Sequence, residues 1–241
     1  MNPSSGNLHP TEGYLVWHRR VLHYAPDLHA VEERATLPLD LESCLTHETG
    51  DGSGTFLVAL TSIHWREAWK YGERAFRYCQ HDVGHALGAL RLSAALQGWA
   101  LSVLSEWSDS DVAALLGLDR DQDFLDVERE APALVACVTA SPRPVATRCD
   151  TARLVQAARH ASWTGRASRL SPSHVDWPAI DAASAGTVYP GLPAGPRFIQ
   201  AAAPVESEPG PPARHVLLTR RSATAFDGAS PLPRARFLQL L

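Results

Sequence analysis

Four short stretches of this chain hold residue types whose chemistry depends on their spacing. The first is Trp69-Lys70-Tyr71-Gly72-Glu73-Arg74-Ala75-Phe76-Arg77-Tyr78, where the only lysine of the 241 residues stands next to a tyrosine at the head of a helical pattern. A lysine whose burial lowers its proton affinity can supply a proton and stabilise a developing negative charge, which arginine cannot readily do. Taken by itself, the run reads first as a solvated basic helix start. The second stretch is Pro3-Ser4-Ser5-Gly6-Asn7-Leu8-His9-Pro10. Small hydroxyl residues beside Gly and Asn give a tight loop with backbone and side-chain donors, suited to a phosphate or a flavin ring edge.

The third stretch, His81-Asp82-Val83-Gly84-His85, places two histidines four apart on one helical face, as in a zinc helix with Asp in place of Glu. No third ligand follows, so no metal is expected and the pair reads as packing. The fourth, Arg220-Arg221-Ser222-Ala223-Thr224-Ala225-Phe226-Asp227, has two arginines and a serine that can clamp a phosphate through charge-assisted hydrogen bonds.

The elements that must carry these groups can be read from periodicity. Gly13–Trp17 and Val21–Tyr24 are short β-branched and aromatic runs that predict a hairpin, and Thr55–Ile63, after a Gly50-Asp51-Gly52-Ser53-Gly54 turn, predicts a buried strand. A single long helix is expected from about Arg66 to Gln97, with Phe76, Cys79, Val83, Leu87, Leu90 and Ala94 as its apolar stripe and Gly98 as its stop. Gly84 and Gly88 on that helix suggest close approach of another backbone. A short helix is expected over Asp109–Leu116 and a returning strand over Pro132–Thr139. Strands, a long central helix and a returning strand make an α+β domain over residues 1–140. Residues 141–213 hold eleven of the eighteen prolines and read as a linker with weak helical content near Thr151–Ala161. Residues 214–241 become regular again, ending in a helix from Arg234.

Composition narrows the classes. A net charge of −4 and a pI near 6.2 argue against nucleic-acid and membrane partners. No apolar run approaches the roughly 20 residues of a membrane span. Cys44, Cys79, Cys137 and Cys149 form no C-x-x-C pair, so a cytoplasmic location with reduced thiols is expected.

Taken together, the pieces resemble the nitroreductase superfamily, specifically its SagB-type branch of thiazoline/oxazoline dehydrogenases. The resemblance rests on Pro3–Tyr14, on Lys70–Tyr78 continuing to Asp82-Val83-Gly84-His85-Ala86, and on Leu115-Leu116-Gly117-Leu118, in this order along residues 1 to about 140. It implies the FMN-dependent nitroreductase-like fold, an antiparallel-rich sheet with a long central helix, here incomplete at both ends. The Arg221-Ser222 cluster resembles the opening of a second such domain. The resemblance further implies FMN as cofactor, approached by Pro3, Ser4, Ser5 and Asn7, with Arg220, Arg221 and Ser222 on its phosphate. Lys70 and Tyr71 fall where azoline dehydrogenases keep a catalytic pair, and hydride would pass through flavin N5. Expected partners are a small-molecule or modified-peptide substrate, a nicotinamide donor, and a dimer or tandem-domain pairing. Trp99–Ser105 lacks the Pro-Ile-Gly-like turn that faces flavin in the family, which motivates the alternative of a non-catalytic scaffold or peptide-binding module.

Overall fold

Along Thr11–Trp17 every second residue is buried, and Glu12, Tyr14 and Val16 point to one face of strand β1. Two residues later β2 (Arg20–Ala25) returns antiparallel, with Trp17 opposite Arg20 and Tyr14 opposite His23, as the hairpin pattern predicts. A charged strand follows, β3 (Ala30–Thr36), and after it the short β4 (Leu45–His47). The apolar run β5 (Phe56–Ser62) pairs antiparallel with β1 on one side and with β7 (Ala131–Thr139) on the other, and both of its faces are covered, Leu60 by one apolar cluster and Leu57 by another. The computed structural model describes residues 2–47, 54–141, 147–192 and 210–240. The turn expected at Gly50–Ser53 and residues 193–209 of the expected linker lie outside them.

Helices α1 (Trp65–Tyr71) and α2 (Ala75–Leu96) follow β5, then β6 (Ala100–Val103) and α3 (Asp109–Leu116). Beyond β7 come β8 (Thr147–Cys149), α4 (Thr151–Arg159), β9 (Ser162–Trp163) and α5 (Pro178–Gly186). The main sheet runs β6-β7-β5-β1-β2-β3-β9, every pairing antiparallel, and β4 and β8 form a separate two-stranded pair. Helix α2 lies on one face, where Val83 and Ala86 pack on Leu60. The larger core on the other face joins Val16, Val21, Leu57 and Val135 to Leu115 of α3 and Leu154 of α4. Ser108 caps α3 with a capping box to Asp111. The architecture is α+β, an antiparallel sheet with helices on both faces.

Three expectations differ from the structure. The long helix from Arg66 is two helices, because Gly72 has a left-handed φ of 58° and ends α1 before a 3-10 turn over Gly72–Arg74. A Cβ at Gly72 would also stand 3.0 Å from the Trp177 ring, so the break is locked from outside the helix. Gly84 and Gly88 meet no neighbouring atom within 4 Å of where a Cβ would be, so no other part of the described chain approaches there. Finally, the stretch expected as a linker from 141 supplies β8, α4, β9 and α5, and Leu154 and Ala158 of α4 are wholly buried. The amphipathic pattern of α4 outweighed the prolines, which fall outside it.

By compactness the chain divides into two units, Met1–Ala194 and Gly195–Leu241. In the second unit α6 (Ala213–Thr219) and α7 (Arg234–Leu240) flank a turn in which Asp227 accepts from the Ala229 and Ser230 amides. Each of residues 210–238 is exposed. No helix among the described residues is long and apolar enough to cross a membrane.

Candidate functional site

The serine-rich loop and the Lys-Tyr pair, sixty residues apart in sequence, meet in space. Ser5–Asn7 makes one 3-10 turn in which Gly6 and Asn7 both have φ near 60°. A Cβ on Gly6 would lie 2.7 Å from Tyr71 Oη and 2.8 Å from Lys70 Nζ, and its φ of 60° favours glycine, so the loop backbone sits directly on these two side-chain ends. The loop is held from below by α2. Ser4 Oγ donates to Asp82 Oδ2 at 2.5 Å, the Ser5 amide donates to Asp82 Oδ1 at 3.4 Å, and the His9 amide donates to Ser4 Oγ at 2.8 Å. From the side, Arg66 Nη1 donates to the His9 carbonyl at 2.8 Å.

Tyr71 packs edge-on against Tyr78 at 4.8 Å between centroids, and Lys70 Nζ lies 5.3 Å from the Tyr71 ring centre. The Lys70 side chain is exposed, which departs from the expectation of a lysine tuned by burial. Its α1 position leaves it at the rim of the site, where it offers an ammonium to whatever faces the loop. Pro3, Ser4, Ser5, Asn7, Lys70 and Tyr71 thus lie in one unit and around one loop. Arg220, Arg221 and Ser222 belong to the second unit, just after α6, and the Arg221 guanidinium donates to the carbonyls of Thr219 and Arg220.

Several buried groups around the loop escaped the motif reading. Glu67, one turn before Lys70, is wholly buried, and burial pushes its carboxyl up to about 7, with the charge of Asp82 adding and Lys70 opposing. Cys79 beneath it is pushed up to about 12 by burial and by these carboxylates. Glu12 is 5% exposed, with Arg66 Nη1 at 2.7 Å and His23 Nε2 at 2.6 Å. Nearby, Glu130 accepts from Tyr14 Oη and from Thr61 Oγ1 at 2.7 Å. A signal for Glu67 was present, because it stands three and four residues before Lys70 and Tyr71. Nothing in the strand sequence pointed to His23 as a partner of Glu12, since that contact depends on the register of β1 with β2.

Beside the loop, a cleft of about 490 Å³ is lined by Leu8, Trp65, Arg66, Trp69, Val175 and Trp177. His81 is exposed next to Arg77, and His85 Nδ1 lies 3.7 Å from Asp82 Oδ1. Among the described residues no group of three or more His, Cys, Asp or Glu side chains is arranged to hold a metal ion.

No curated protein matches the chain. Among solved structures, a nitroreductase-type protein from Anabaena variabilis is similar over 80% of this chain and 38% of its own, with 20% identity and a TM-score of 0.50. A chain of the E. coli microcin synthetase McbBCD complex, solved with truncated pro-MccB17 bound, is 25% identical over 57% of this chain and 54% of its own, with a TM-score of 0.45. A nitroreductase-type protein from Ralstonia eutropha is 16% identical over 59% and 63%, with a TM-score of 0.44. The chain therefore spans between 38% and 63% of the length of these structures. The first of them supports the fold. The profile of the Nitroreductase family matches residues 1–127, more than half of the chain and the whole of the loop and Lys-Tyr region, and the chain belongs to that family.

Proposed function

We propose that this chain is part of an FMN-dependent oxidoreductase of the nitroreductase type, with SagB-type dehydrogenase chemistry as the specific form. The observation that carries the reading is the seat of Gly6 on Lys70 and Tyr71. It brings an ammonium and a phenol to the Ser5–Asn7 turn. That donor set fits the acceptor-rich edge of a flavin ring. Pro3, Ser4, Ser5 and Asn7 shape the contact; within the second unit, the Arg220 and Arg221 guanidiniums and the Ser222 hydroxyl offer the charge and the hydrogen bond that suit a phosphate. When bound, the flavin supplies a hydride acceptor and donor at N5. Lys70 holds or releases a proton at Nζ and Tyr71 at Oη, next to the substrate, and the Trp-lined cleft excludes water from the substrate's apolar part.

The substrate is a small molecule or a modified peptide, with a nicotinamide as a further partner where the reaction runs reductively. A paired copy or tandem domain completes the site: the exposed face of α2 aligns Gly84, Gly88, Leu92 and Leu96 at four-residue steps, with Leu92 63% exposed. Adding FMN to the purified chain and recording the visible spectrum tests the reading. A flavin band shifted from that of free FMN is expected, together with loss of turnover in Lys70→Ala, and an unshifted, fully dialysable flavin would overturn it. One observation favours the second reading, a non-catalytic scaffold: Ala100–Val103 is an edge strand paired with β7 rather than a flavin-facing turn. Lys70→Ala separates the two, because a scaffold keeps its partner binding.

A further inference from the structure

Glu67 has no role in the chemistry described so far, yet it is wholly buried on the same helix. It precedes Lys70 by three residues and Tyr71 by four, so helical spacing puts it on their side of α1. Both of its carboxylate oxygens are buried without a hydrogen-bond partner. An unpartnered polar atom of this kind calls for a physical account.

Asp82 supplies it. This residue, 1% exposed, has the donors that Glu67 lacks, the Ser4 hydroxyl and the Ser5 amide, with the His85 ring 3.7 Å away. Two carboxylates in one buried space do not both ionise readily, and the one without donors keeps the proton. The neutral form is therefore assigned to Glu67, whose oxygens have no donor. Ser4 in turn accepts the His9 amide, so the Asp82 carboxylate closes the loop from Ser4 to His9 over Lys70 and Tyr71.

We propose that Glu67 is a positioning residue of this site: uncharged, it leaves Asp82 as the anion that anchors the Ser4–His9 loop, and on ionising it weakens that anchor and releases the loop. The titratable groups that bear on Glu67 are Lys70 on its own helix and Asp82 and Cys79 on α2. Cys79 stays a neutral thiol near neutrality, because burial holds it up at about 12. Burial also puts the Glu67 transition at about 7. Below that pH the anchor is intact; above it a second negative charge faces Asp82. The meaning of the release for catalysis rests on the flavin reading above, but the release itself belongs to the loop and can be followed without flavin.

The test is amide hydrogen exchange, read by mass spectrometry, of the segment spanning residues 3–10 in the full chain without flavin. Wild type and Glu67→Gln are compared at about pH 6 and about pH 8, each against the buried strand β5 as internal reference. At the higher pH the wild-type loop is expected to exchange roughly five- to tenfold faster than in Glu67→Gln, and at the lower pH the two agree. Asp82→Asn, which lacks the anchor, exchanges fast at both. Equal loop exchange in wild type and Glu67→Gln at both pH values overturns the proposal. Should Glu67→Gln fail to fold, wild type alone decides: a loop-to-β5 ratio that does not change across about pH 7 overturns it equally. Failure of FMN to bind, with the exchange pattern as expected, would count against the flavin reading and leave this one standing.

Discussion

Two buried carboxylates flank the same loop, and they are held in opposite ways. Glu12, on β1, is met by Arg66 at 2.7 Å and His23 at 2.6 Å, and it fastens the far end of the loop through the Arg66 bond to the His9 carbonyl. Glu67, on α1, meets no donor, and its carboxyl is pushed up to about 7 by burial. The difference teaches that burial alone does not define an acid's role. A paired carboxylate stays charged and contributes structure, whereas an unpaired one stays neutral and remains able to change.

That contrast can be sharpened by mutation, beginning with a yardstick. Leu154→Ala empties a site in the main core and is expected to lower stability by about 2–5 kcal/mol in denaturant unfolding. A loss below about 1 kcal/mol would mean that α4 is not a core helix of the first unit. Arg66→Ala leaves Glu12 buried with only His23 and strips the His9 carbonyl of its donor, so a loss of about 3 kcal/mol is expected, at the low end for a broken buried pair because Arg66 is partly exposed.

Glu67→Gln should do the reverse. The native carboxyl titrates at about 7, above the ordinary 4.5, so its favourable contribution is complete below about pH 4.5 and is lost as pH rises through about 7. Replacement by glutamine is therefore neutral in acid and stabilising by about 1–2 kcal/mol at about pH 8, as read from thermal or chemical denaturation. Destabilisation at both pH values would erase the contrast with Glu12. The smallest effect concerns His23. Burial alone would pull its imidazole down, but the hydrogen bond and charge of Glu12 raise it overall. Its contribution is present below about 6.5 and is lost as pH rises through the raised value, and His23→Gln should flatten that part of the stability profile by about 1 kcal/mol or less.

Local pattern carried much of the architecture. The hairpin, β5, α3 and β7 stand where alternation and capping residues put them, since each is decided by neighbours in sequence. Strand β3 was not legible, because Ala30–Glu33 are all exposed and give no alternation of buried and exposed positions. The break at Gly72 was legible only as a glycine within a helical run; its left-handed φ makes it a break, and the Trp177 ring, a hundred residues away, leaves no room there for a Cβ. The site shows the same division. Lys70, Tyr71 and the Ser4–Asn7 turn were visible as motifs, and their meeting at Gly6 is tertiary. The roles of Asp82 and Glu67 were hidden because a carboxylate's role depends on its donors: those of Asp82 come from the loop 77 and 78 residues upstream, and Glu67 has none.

The solitary lysine has a practical consequence. Lys70 is the only side-chain amine in the sequence, and it is exposed at the rim of the site. Any amine-directed reagent, whether an acylating ester, a reductive alkylator or a cross-linker, therefore has one side-chain target, with the α-amino group as its competitor. A fluorophore or spin label can be set beside the loop without mutagenesis, and cellular lysine acylation, if it occurs on this chain, would remove the cation from its candidate site in a single event.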